Sequence, residues 1–82
     1  MDRMNIQQEQ KEILRLKQKY NELLARYHKA NEFFRTADPE KAEKFEAAYQ
    51  EVILQMQDIF NELRVKHHIE ASHHELLGGF KL

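Results

Sequence analysis

Four of the five histidines crowd into Val65-Lys66-His67-His68-Ile69-Glu70-Ala71-Ser72-His73-His74-Glu75, the most chemically unusual stretch of the chain. On a continuous helix His67, Glu70 and His74 fall at i, i+3 and i+7 on one face. Glu70-x-x-His73 also has the spacing that carboxylate-bridged metal sites use in helical bundles. Such a face could take zinc or nickel. The competing and preferred reading is that these histidines are solvated, or that they cap the negative end of a helix when protonated. Bundle metal sites draw ligands from several helices, and the apolar seam of the first helix offers only Glu9.

Other chemistry has little material. The chain has no cysteine, no Gly-rich phosphate loop and a single serine, Ser72. Ser72 lies beside His73, but sequence neighbours on a helix point about 100° apart, so adjacency does not activate the hydroxyl. No catalytic residue and no cofactor is expected. Lys11, Arg15, Lys17 and Lys19 crowd the first helix, and in a hairpin they would lie near Arg64 and Lys66. That is a candidate nucleic-acid face, for which dimeric helical hairpins that bind RNA offer an analogy of fold only. It is diluted, because residues 1–20 and 58–82 together carry eight basic and seven acidic side chains. The net charge of −1 gives no global field to attract a polyanion.

The elements that must position these residues are helices. Charged residues make up 33% of the 82 positions, with two glycines and one proline, a balance that favours long solvent-facing helices over turn-rich sheets. From Ile6 the apolar residues recur at gaps of four and three through Ile13, Leu16, Tyr20, Leu23, Tyr27, Ala30 and Phe34. This is a heptad seam, broken at Glu9. It stops at Asp38-Pro39, where proline disfavours helical geometry in the residue before it and suits the first turn of a new helix. Asp38 is the expected N-cap, with its carboxylate accepting from the free amides of the next turn. A second seam runs through Ala42, Phe45, Tyr49, Val52, Met56, Ile59 and Leu63, widened by Ile53, Phe60 and Ala48 to about 140° of the helix surface.

These patterns predict an all-α protein. Its expected architecture is a long antiparallel two-helix hairpin, with helices over about 5–36 and 39–75. Residues 1–77 form the single domain and 78–82 a short apolar tail. Gly78-Gly79 halts the helix, and Leu76, Leu77, Phe80 and Leu82 surround the stop. The tail is expected to dock on the bundle end or fray, in preference to serving as a binding motif. Residues 1–37 sum to +3 and residues 38–66 to −3, so the two arms attract. Glu22/Arg26, Glu40/Lys44 and Glu62/Lys66 have the spacing of helix-supporting ion pairs.

A lone hairpin gives each helix one neighbour, which leaves part of the broad second stripe, with Leu24 and Phe60, facing water. Self-association into a homodimeric four-helix bundle is therefore expected. Its core is Ile13, Leu16, Tyr20, Leu23, Leu24, Tyr27, Phe45, Tyr49, Val52, Ile53, Met56, Ile59, Phe60 and Leu63. The functional expectation is a small non-enzymatic interaction or regulatory module whose partner is a second copy or another protein. Nucleic-acid binding is the alternative, and metal binding comes third. No apolar run exceeds three residues, which predicts neither a signal peptide nor a membrane span. The lack of cysteine fits a reducing cytoplasm.

Overall fold

The computed structural model describes residues 3–82, with side chains from Gln7 onward; Met1, Asp2 and the Ile6 side chain of the first seam lie outside the described residues. Three helices follow in order: α1 (Arg3–Thr36), α2 (Pro39–His67) and α3 (His73–Gly78). The first two pack antiparallel as the expected hairpin. At 1.5 Å per residue α1 is about 51 Å long, and the molecule spans 56 × 21 × 16 Å.

The turn at Asp38-Pro39 forms as predicted, by a slightly different device. Asp38 is extended (φ −64°, ψ 150°) and Pro39 opens α2, but the Asp38 side chain makes no capping hydrogen bond. Its backbone carbonyl instead accepts from the Ala42 amide at 2.9 Å. Proline at N1 leaves one fewer free amide in the first turn and supplies a φ already suited to the helix.

The larger departure is at the other end of α2, which stops at His67 and does not continue to residue 75. His68 adopts the left-handed conformation (φ 56°, ψ 35°), and the Ile69 amide reaches back to the Leu63 carbonyl at 2.9 Å. This seven-residue closure satisfies a terminal carbonyl of the helix, one residue wider than a Schellman bond. The chain then crosses to α1, and Ser72 starts α3 with a capping box: the Glu75 amide donates to Ser72 Oγ, and the Ser72 amide donates to the Glu75 carboxylate. The local signal for that start, Ser-x-x-Glu, competes with helix periodicity through the same residues.

The fully buried hydrophobic residues are Leu16, Tyr20, Leu23, Leu24, Ile59, Leu63 and Phe80. All lie where α3 and the tail add a third layer to the hairpin. Along 27–56, the half of the hairpin nearest the turn, no described residue is fully buried, and Phe45 is 54% exposed. Two helices have only one contact surface between them, so a residue to the side of the seam stays wet until a third element arrives.

Candidate functional site

The C-terminal segment builds the most specific polar arrangement in the molecule. Tyr20, one of the seam aromatics, donates its hydroxyl to the Leu76 carbonyl at 2.7 Å. Beside it, Asn21 clamps the tail at both backbone groups of Phe80: Nδ2 donates to its carbonyl at 2.9 Å, and Oδ1 accepts from its amide at 2.7 Å. The Phe80 ring meets Tyr20 edge-on, 5.3 Å between centroids, and Lys17 Nζ lies 5.6 Å from the ring centre. Gly79 makes the approach possible. Its φ is +92°, and a Cβ there would stand 2.9 Å from Asn21 Oδ1, so only glycine fits without displacing the clamp. The tail is therefore docked, and Leu24 is covered with it.

Beside the docked tail runs an open groove of about 340 Å³, lined by Tyr20, Leu24, Tyr27, His28, Ile53, Met56, Gln57, Phe60, Leu76 and Leu77. It holds no Lys, Arg, Asp or Glu among its lining residues, and Leu77 stands 61% exposed at its mouth. Toward the turn, Tyr27 stacks on Tyr49 (5.6 Å), Tyr49 meets Phe34 edge-on (4.9 Å), and Phe33 joins Phe34 to Phe45. Tyr49 donates its hydroxyl to Asn31 Oδ1 at 2.8 Å. Its ionisation lies above the ordinary tyrosine range, because its hydroxyl is held by that of Tyr27, whose own ionisation is lowered by the same contact. The expected core residues Ile13, Tyr27, Val52 and Met56 are half-buried against the fully buried set.

The histidine-rich segment is taken apart by the break at His68. His67 closes α2 with its side chain only 3% exposed, Glu70 lies in the connection and His74 belongs to α3. The continuous face that aligned these three does not form. Among the described residues no group of three or more His, Asp or Glu is placed to hold a metal ion. His67 instead meets α1. Its Nδ1 is 3.4 Å from Glu9 and its Nε2 3.9 Å from Glu12, and Nε2 has no hydrogen-bond partner. Glu9, the residue that breaks the heptad seam, is thus opposed by the one polar residue that α2 buries.

The basic residues singled out in the sequence have different surroundings. Lys11 and Arg15 border a shallow hollow with Gln8 and Glu12. Lys66 reaches across to Glu12 at 2.8 Å, forming this inter-helix pair in place of the expected contact with Glu62. That bond from Lys66 holds the Glu12 carboxyl below its ordinary range, and Glu12 raises Lys66 in turn. Lys17 and Arg64 lie over aromatic rings, Phe80 and Phe60 respectively. Lys19 is exposed.

Sequence reasoning missed Asn21, Glu12 and Asn31, polar residues beside the seam whose partners are 18 to 59 positions away. No local signal could have found them. The Ser72-x-x-Glu75 box is different, because its spacing is readable in advance. No helix of the described residues is long and apolar enough to cross a membrane. No protein-family model matches the chain, and neither curated proteins nor solved structures give a match.

Proposed function

We propose that this chain is a small non-enzymatic interaction module that works as a homodimer, two hairpins pairing through the open groove into a four-helix bundle. The observation that carries the reading is unburied surface. The accessible area is 6683 Å², whereas a compact monomer of this mass exposes about 5,200 Å². The excess, about 1,500 Å², is close to what a standard interface removes from both partners together. The radius of gyration, 15.6 Å, likewise exceeds the roughly 12 Å of a compact chain of this length.

A second copy suits the groove for two reasons. Its lining is apolar and free of carboxylates and ammonium groups, the composition of an interface core. A two-fold arrangement that sets the first arm of one copy, at +3, against the second arm of the other, at −3, would add electrostatic attraction. The nucleic-acid alternative has less support, since Lys66 is spent on Glu12 and Lys17 on the tail. Sedimentation equilibrium tests the reading. The expected result is a dimer at micromolar concentration, converted by Ile53→Asp to a helical monomer. A wild-type chain that stays monomeric at every concentration overturns it.

A further inference from the structure

We propose that the C-terminal segment is an exchangeable arm, which in the homodimer leaves its own hairpin and docks on the Tyr20–Asn21 site of a second copy. This rests on the homodimer reading above and adds the residues that cross between the copies.

The hinge is His68. It is the described residue other than glycine with positive φ, and its type is neither of the two, glycine and asparagine, that usually occupy this cap position. Left-handed backbone disfavours a residue with a Cβ. The next four residues, Ile69, Glu70, Ala71 and Ser72, include no glycine or proline, so the only local signal set against α2 running on is the Ser72-x-x-Glu75 box. The sequence thus admits one continuous helix where the closed chain has a reversal.

Straightening α2 through Leu77 adds ten residues, about 15 Å of helix. That carries Phe80 beyond the end of its own hairpin and out of reach of its own Asn21. A second copy offers the identical acceptor. The hydrogen bonds from α3 and the tail to the long helices all go to α1 among the described residues, from Tyr20 to the Leu76 carbonyl and between Asn21 and Phe80. Each can be remade between chains with no new geometry, and Gly79 still clears Asn21. Exchange therefore keeps the docking contacts and releases the left-handed residue, the condition under which an arm is swapped at low cost.

The test uses the absence of cysteine from the natural sequence. A chain with Lys17→Cys is mixed with a chain carrying Lys81→Cys, which places one thiol beside the docked Phe80 ring and the other next to Phe80 in sequence, and the mixture is oxidised. The expected product is a disulfide between the two chains. His68→Gly in the Lys81→Cys chain relieves the closed form and disfavours the helix, so inter-chain yield falls roughly tenfold or more. His68→Ala raises it. Three results overturn the swap: a dimer in sedimentation without the inter-chain disulfide, a yield indifferent to His68→Gly, or only intramolecular disulfide at all concentrations in a chain bearing both cysteines. In each of these the groove-paired dimer can stand. A strictly monomeric wild type removes both proposals together.

Discussion

Phe80→Ala separates a docked tail from an integral part of the core. Phe80 is 6% exposed, and an aromatic side chain of this kind buries about 200 Å². At about 25 cal/mol per Å² that is roughly 5 kcal/mol, of which an alanine methyl keeps only a small part, so the loss is about 3–4 kcal/mol. What remains to hold residues 73–82 is the half-buried Leu76 side chain and three hydrogen bonds to Tyr20 and Asn21, the bonds worth about 1 kcal/mol each. Ordering backbone costs at least about 1 kcal/mol per residue, so the tail lets go as a unit. Native-state hydrogen exchange reads the outcome residue by residue. The amides of Gly79, bonded to Glu75, and of Phe80, bonded to Asn21, should lose all protection. Those of Ile59 through Leu63 should keep theirs to within about tenfold. Equal loss in both regions would refute the reasoning, since it would mean that the hairpin cannot stand without its third layer.

Other outcomes rest on the same contacts. Leu63 is 0% exposed, so Leu63→Ala should cost about 2–5 kcal/mol in urea denaturation. Gly79→Ala should undock the tail, because its Cβ would stand 2.9 Å from Asn21 Oδ1, while Gly78, with nothing within 4 Å, should accept alanine with no loss of thermal stability. Glu75 is held below its ordinary value by the Ser72 backbone and side chain. The stability it gives α3 is therefore present above about pH 4.5 and is lost as pH falls through its lowered value, visible as faster exchange at the Glu75 and Leu76 amides. Burial raises the Tyr20 hydroxyl above its usual 10. Its contribution is therefore present below pH 10 and disappears as pH rises through the raised value, with tail release in alkali as the measurable sign; Tyr20→Phe should remove that pH dependence.

The two long helices and their turn were determined by the sequence alone. A heptad seam through Ile13, Leu16, Tyr20 and Leu23, a Pro39 that cannot continue a helix and a second seam ending at Leu63 each act within a few residues, and local periodicity reports local structure. Leu16, Tyr20, Leu23, Ile59 and Leu63 of those seams are buried, whereas Phe45 on the second seam is 54% exposed because no third element covers the half of the hairpin nearest the turn. Tertiary structure decided where α2 ends and how the chain beyond it turns back onto α1. The stretch from His68 to Glu75 is compatible with a helix, and it is broken because docking Phe80 on Tyr20 and Asn21 outweighs continuing an exposed helix into water. That choice dispersed His67, Glu70 and His74, set His67 against Glu9, and made Asn21 a clamp. Each of these depends on residues tens of positions apart meeting in space, a contact whose free energy no local pattern contains.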